Sequence, residues 1–172
     1  KWGFGLEAAS IEEVKKALKA GISPEKIVFD SPVKTRSEIT YCNDNVKGMR
    51  LNANSIEELE RMPTNPDFQL GLRINPKVKT GAPDVYDVSH DESKFGVPIT
   101  EREKILDAIL RFPVTLLHVH SGSQMANIDS ATDSICLLRD IALEANSLLV
   151  SKGISRRIKT LDIGGGLMPE EL

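Results

Sequence analysis

The chain has 172 residues, of which 40% are hydrophobic and 27% charged, a composition typical of a globular domain with a sizeable core. Its formal net charge of −3 gives no basic field, which argues against a nucleic-acid partner. No apolar run reaches the roughly 18 residues of a membrane helix, and the first residues lack the apolar core of a secretory signal. We therefore expect a cytoplasmic protein with no membrane partner.

Short apolar segments alternate with amphipathic helices along the chain. Segments rich in Val, Ile, Leu and Phe are typical of strands buried on both faces. Six strands are predicted, at residues 4–7, 26–30, 49–52, 68–75, 114–120 and 160–163. Their alternation with helices predicts a parallel sheet, either closed into a barrel or open and doubly wound.

The helix starts carry capping boxes, in which a hydroxyl residue is followed three residues later by glutamate. Ser10, Ser55 and Thr100 begin such boxes. The longest helix is predicted over residues 130–152, with an apolar stripe that belongs to the core. Residues 76–98 interrupt the alternation with Gly, Pro, Asp and Ser, and loops that follow strands in parallel folds often carry function.

Polar residues and glycines stand where the apolar strands end. Active sites of parallel barrels are built at the carboxyl ends of their strands, so these positions form the candidate site. They are Glu7, Asp30, Asn52, Asn54, Arg73, Asn75, His120, Gly164, Gly165 and Gly166. For Arg73, inside an apolar strand, we expect either an anionic ligand or a buried carboxylate partner, and Glu7 is the predicted partner.

Two clusters at these strand ends suit a phosphorylated ligand. The amides of Gly164, Gly165 and Gly166 can approach an anion closely, although a tight turn without a ligand is the alternative. In the segment 118–123 we expect only one of the two histidines to face the interior. His120 precedes a glycine and Ser123, so a flat ring beside a phosphate site is indicated, with a structural histidine as the alternative. A metal site fits poorly, since no cysteine or carboxylate cluster accompanies the histidines.

These segments, in this order, resemble the fold type III (alanine-racemase-type) pyridoxal phosphate decarboxylases, which include the diaminopimelate, biosynthetic arginine and ornithine decarboxylases. The matching segments are residues 4–10, 72–76, 92–96, 120–124 and 161–167. The resemblance implies a TIM-type (β/α)8 barrel. Residues 1–172 would form a single partial barrel domain that lacks the first strand, the last strand and the C-terminal β-domain.

The resemblance also implies a role for each site residue. His120 would stack on the ring of pyridoxal 5′-phosphate, and Glu7 and Arg73 would line the catalytic pocket. Ser123, Gly164, Gly165 and Gly166 would hold the phosphate. Lys94 would lie near the mouth of the site. The family's cofactor-binding lysine would precede this chain, so we expect a fragment that is inactive by itself.

The activity implied is pyridoxal-phosphate-dependent decarboxylation of a basic amino acid by a cytoplasmic homodimer. Gln124 after the Gly-Ser pair is similar to the diaminopimelate and arginine enzymes. Conversion of meso-diaminopimelate to lysine is the first candidate, because the compact stretch of residues 75–96 is similar to the diaminopimelate enzymes, whereas residues 125–128 are more similar to the arginine enzymes. Arginine or ornithine decarboxylation in polyamine synthesis is an alternative, as is a non-catalytic homologue similar to antizyme inhibitor. A racemase of the same fold fits less well, because it lacks the 93–96 and 120–124 motifs as arranged here.

Overall fold

The computed structural model describes residues 3–78, 93–122 and 128–166, and its centre is one parallel sheet. Six of its strands are β1 (Leu6–Ala8), β2 (Ile27–Phe29), β3 (Arg50–Ala53), β4 (Gln69–Asn75), β6 (Val114–His118) and β7 (Thr160–Asp162). They lie in the order β1-β2-β3-β4-β6-β7, and every neighbouring pair is parallel. The short strand β5 (Val97–Pro98) pairs with the end of β4.

Helices connect the strands and cover one face of the sheet. They are α1 (Ile11–Lys19), α2 (Arg36–Asn45), α3 (Ile56–Leu59), α4 (Arg102–Arg111) and α5 (Ile128–Ser151), with single 3-10 turns at Pro24–Lys26 and Ile99–Glu101. Within the described ranges, no helix has both the length and the apolar character needed to cross a membrane.

The strand order identifies the architecture as part of a barrel. Strands follow one another across the sheet in chain order, whereas a doubly wound sheet reverses its order at a switch point. The prediction of a parallel β/α barrel fold is therefore confirmed. All six sequence-predicted strands are present, and in the part of the chain that the structure describes only the two-residue strand β5 was not predicted.

The capping boxes are partly as predicted. Ser10 and Ser55 each accept the amide of the glutamate three residues later, at 3.4 and 3.2 Å. The box predicted at Thr100 is wrong, because a 3-10 turn occupies that position and α4 begins without a side-chain cap. A complete box occurs instead at Thr35, whose hydroxyl accepts the amide of Glu38 while the Glu38 carboxylate accepts the amide of Thr35.

A buried lysine joins the carboxyl ends of β2 and β3 through hydrogen bonds. Lys34 has no exposed surface, and its ammonium donates to the carbonyl oxygens of Ser31 and Asn52. It also pairs with the buried carboxylate of Glu58 at 3.2 Å. Because an ammonium has three hydrogens and all three have acceptors here, Lys34 serves as a structural cation.

The two threonines provide a matched test of the helix caps. We expect Thr35→Ala to lower the free energy of unfolding by about 1 kcal/mol, because the first turn of α2 loses its hydroxyl acceptor. Thr100→Ala should change it by less than about 0.5 kcal/mol, since that hydroxyl caps no helix. Urea unfolding of both variants checks this, and equal losses would contradict it.

Candidate functional site

The predicted site residues gather at the carboxyl end of the sheet. Arg73 lies in β4, Asp30 directly follows β2, and His120 lies two residues beyond β6. The glycines 164–166 begin two residues after β7. Glu7 lies in the edge strand β1 and interacts electrostatically with this group. Ser123 lies outside the described residues.

A histidine that the sequence reasoning had not assigned to the site occupies its centre. The side chain of His118 is 1% exposed and lies between two carboxylates. Its Nε2 is 3.0 Å from Oδ2 of Asp30, and its Nδ1 is 3.1 Å from Oδ2 of Asp162. These contacts have the distances of ion pairs, although the ring N–H groups are not aligned for hydrogen bonds.

Electrostatics make this trio a cation between two anions. Burial alone would lower the pKa of His118, but Asp162 and Asp30 outweigh it and raise that pKa to about 9. Burial would raise the pKa of Asp162, whereas contact with His118 and the Gly164 amide lowers it to about 2. The pKa of Asp30 is lowered too, because His118 and Arg73 outweigh the effect of burial.

The expectation that only one histidine of the 118–123 segment faces the interior is wrong. His118 contacts Asp30 and Asp162, and His120 contacts the glycine turn at the same end of the sheet. The physical reason is that residues two apart on a strand lie on the same face. That rule, applied to His118 and His120, is the signal that would have revealed the first histidine.

Arg73 pairs with Asp30, and the predicted pairing with Glu7 is wrong. The guanidinium NH1 lies 3.1 Å from Oδ2 of Asp30. The strand register explains the choice: Glu7 is aligned with Val28, Val28 with Arg50, and Arg50 with Gln69, four residues before Arg73. Asp30 follows Val28 by two residues, just beyond the end of β2. It therefore lies closer to the guanidinium of Arg73 than Glu7 does.

The segment before β5 closes over Arg73. The ring of Phe95 stacks against the guanidinium, with its centroid 4.6 Å from Cζ. Asn54 fixes this segment, since its amide group donates to the carbonyl of Lys94 and its carbonyl oxygen accepts the amide of Gly96, both at 3.0 Å. Lys94 is exposed, and its position near the mouth of the site stays a prediction.

The glycine turn packs directly against His120. Gly164 has a φ of +65°, and a Cβ there would lie 2.7 Å from Nδ1 of His120, so only glycine fits. The amide of Gly165 donates to the same Nδ1 at 3.3 Å. A Cβ on Gly165 would meet no atom within 4 Å, which leaves open space beside the turn.

These groups fit a flat ring that carries a phosphate. The pKa of His120 is lowered, first by burial and then by Arg73 and His118, so its imidazole is neutral and can lie flat against a ring. Glycine amides beside open space suit phosphate oxygens. Oδ1 of Asp30 and Nδ2 of Asn75 are buried without a hydrogen-bond partner in the described part of the chain, so polar ligand groups can still be bound.

Parallel β/α strands that end in a neutral histidine and a glycine turn define a barrel-type binding domain for a phosphorylated, ring-bearing cofactor. The family model described as "Pyridoxal-dependent decarboxylase, pyridoxal binding domain" matches residues 1–171. The chain belongs to this family, and pyridoxal phosphate is its cofactor.

Known proteins that are similar to the chain carry decarboxylase names. Diaminopimelate decarboxylase of Helicobacter pylori strain J99 is 32% identical over 175 residues, covering 96% of this chain and 41% of that protein. The H. pylori diaminopimelate decarboxylase structure with L-lysine has a TM-score of 0.76 at 27% identity, covering 94% and 41% of the two chains. The Paramecium bursaria Chlorella virus arginine decarboxylase structure has a TM-score of 0.71 at 24% identity, covering 95% and 42%, and this likeness shows the fold alone. The chain thus spans about two fifths of each of these proteins.

The raised pKa of His118 predicts a pH dependence of stability. Its pKa of about 9 in the folded protein exceeds the usual 6.5, so the folded state holds a proton that the unfolded chain releases. The resulting stabilisation is complete below pH 6.5 and is lost as the pH rises through 9. We expect the free energy of unfolding to fall over this window, and to fall less in His118→Gln.

Urea unfolding at a series of pH values measures this slope. His120→Gln is the matched control, because the pKa of His120 is lowered and this residue adds no slope above its usual titration range. A slope that His118→Gln leaves intact, or that His120→Gln removes, would contradict the assignment.

Proposed function

We propose that the protein containing this chain is a pyridoxal-phosphate-dependent decarboxylase of a basic amino acid, and that meso-diaminopimelate, converted to lysine, is its substrate. Residues 1–172 would be a single partial barrel domain of that enzyme. The observation that carries the proposal is the contact between His120 and the Gly164–Gly166 turn at the carboxyl end of a parallel β/α sheet. The diaminopimelate decarboxylase of H. pylori, 32% identical to the chain, supports the choice of substrate.

Each group at the site has a task in this reaction. His120, as a neutral imidazole, would lie against the face of the cofactor ring and keep it in place. The amide of Gly166 would donate to the phosphate, and the amide of Gly165 would do so in exchange for its 3.3 Å contact with Nδ1 of His120, because no side chain intervenes. When bound, pyridoxal phosphate supplies an electron sink for the pair of electrons left behind by departing carbon dioxide.

The charges of the chain would orient the substrate. Arg73 remains cationic and is held between Asp30 and Phe95, so it presents a fixed positive charge within the pocket. Glu7 has a raised pKa, first through partial burial and then through Asp30, and this makes it suited to hold or release a proton at its carboxyl group. Lys34 would not bind the cofactor, because its ammonium is fully engaged as a structural cation.

The two neighbouring glycines allow the phosphate site to be tested apart from the fold. In the full-length protein, we expect Gly165→Ala to keep its free energy of unfolding within about 0.5 kcal/mol, because a Cβ there meets no atom. Its affinity for pyridoxal phosphate should fall by about tenfold or more, equivalent to about 1.4 kcal/mol, because the methyl group fills the space of the phosphate.

Gly164→Ala is the comparison variant. It should lower stability as well as affinity, because its Cβ would lie 2.7 Å from the His120 ring and its φ is +65°. Absorbance titration with pyridoxal phosphate and urea unfolding provide the two measurements. Unchanged affinity in Gly165→Ala would contradict the proposed phosphate site.

Carbon dioxide release by the full-length protein tests the reaction and the substrate. With pyridoxal phosphate present, we expect turnover of meso-diaminopimelate with at least about tenfold higher kcat/KM than of arginine, ornithine or lysine, since each 1.4 kcal/mol of differential binding gives a factor of ten. A higher kcat/KM for arginine or ornithine would contradict meso-diaminopimelate as the substrate. Cofactor binding without turnover of any of them would indicate the non-catalytic homologue.

We also propose that the enzyme acts as a cytoplasmic homodimer. The family resemblance supports the dimer, and the two free cysteines, Cys42 and Cys136, agree with a reducing compartment. Light scattering of the same full-length preparation gives its mass, and a monomer mass at working concentration would contradict the dimer.

A further inference from the structure

His118 connects two parts of the site that come from distant strands. One of its ring nitrogens contacts Asp30, after β2, and the other contacts Asp162, at the end of β7. Both carboxylates also contact other groups of the site, Asp30 the guanidinium of Arg73 and Asp162 the amide of Gly164. The buried imidazole therefore lies between two short chains of contacts.

The first chain of contacts leads to Arg73. Oδ2 of Asp30 is shared, because it lies 3.0 Å from His118 and 3.1 Å from the Arg73 guanidinium. Phe95 covers the other side of that guanidinium. A change in the position of the Asp30 carboxylate therefore moves the charge that Arg73 presents.

The second chain of contacts leads to the glycine turn. Oδ2 of Asp162 contacts His118, and its Oδ1 accepts the amide of Gly164 at 3.0 Å. The next amide, that of Gly165, donates to His120. The Asp162 carboxylate thus sets the direction of the first amide of the turn.

We propose that His118 is a positioning residue, which couples the orientation of Arg73 to that of the Gly164–Gly166 turn through Asp30 and Asp162. The proposal rests on the proposed function only in naming the turn and Arg73 as groups of the cofactor pocket. No role for His118 follows from the family description or from the names of the similar proteins.

The charges around the imidazole explain why a cation is needed at this position. Asp30 has Arg73 as a second cation, but among the described residues Asp162 otherwise has only the amides of Asn52 and Gly164. The other charged or titratable groups that act on these carboxylates and on their neighbours are Glu7, Lys34 and His120. Without a charge on His118, the buried carboxylate of Asp30 and the partly buried carboxylate of Asp162 would face each other across a neutral side chain, which is costly.

The coupling can be read from glycine amide signals in full-length protein labelled with 15N-glycine. Arg73→Lys keeps the charge but alters the contact with Asp30. With His118 present, we expect this substitution to shift the Gly164 and Gly165 signals. In the His118→Gln background the same substitution should shift them by about threefold less, as expected when a shared partner is lost.

Two further variants distinguish loss of the coupling from a general loss of stability. Asp162→Asn breaks the same series of contacts at its other end and should reduce the response to Arg73→Lys to the same extent. Leu117→Ala is the control, because Leu117 is buried on the opposite face of β6 and its loss weakens the fold without touching the contacts. In that background the response should persist.

An undiminished response in both His118→Gln and Asp162→Asn would overturn the proposal, as would a response that Leu117→Ala removes equally. Pyridoxal phosphate affinity gives a second readout, with an expected loss of about tenfold in His118→Gln, or about 1.4 kcal/mol, and no loss in Leu117→Ala. The amide signals require no turnover. A protein that decarboxylates none of the tested amino acids would therefore refute the proposed function and still report the coupling.

Discussion

Two ionised carboxylates at the carboxyl ends of β2 and β7, the first buried and the second partly buried, impose the main constraint on this molecule. Asp30 and Asp162 are held ionised inside the sheet, where unpaired charges are expensive. His118 satisfies both of them, and Arg73 adds a second cation to Asp30. Because these contacts join β2, β4, β6 and β7, they tie together the strand ends that form the pocket floor.

The surface of the pocket follows from that floor. Asp162 directs the Gly164 amide, and the turn that begins there packs against His120. Burial, together with the positive charges of Arg73 and His118, keeps His120 neutral, so a flat uncharged ring stands beside the glycine turn. A neutral ring beside open space at a glycine turn fits the cofactor of the pyridoxal-binding family, and here the ring stays neutral partly because of the charges on Arg73 and His118.

The sequence predicted the strands well because their apolar runs end abruptly in polar residues. Strand β5 escaped prediction because two residues carry no periodicity, and the helix cap at Thr100 failed because a 3-10 turn precedes α4. The convergence of His120 with the Gly164–Gly166 turn was also predictable, since both follow neighbouring parallel strands. Family resemblance then supplied the cofactor, which strand ends alone cannot specify.

The partners of buried charges were harder to predict. Arg73 had several acidic candidates, and only the strand register shows that Glu7 lies below it while Asp30 lies within reach. The role of His118 required knowing that it shares a face with His120 and that Asp30 and Asp162 approach it from two other strands. Such pairings depend on the curvature of the sheet, which no local sequence pattern encodes.

A crystal structure of the full-length protein with pyridoxal phosphate tests the central claim most directly. The account predicts that the cofactor ring lies parallel to the imidazole of His120, with phosphate oxygens at hydrogen-bond distance from the amides of Gly165 and Gly166. His118 should still bridge Asp30 and Asp162 beneath it. A cofactor bound at another place in the barrel, or a phosphate directed away from the glycine turn, would contradict the account.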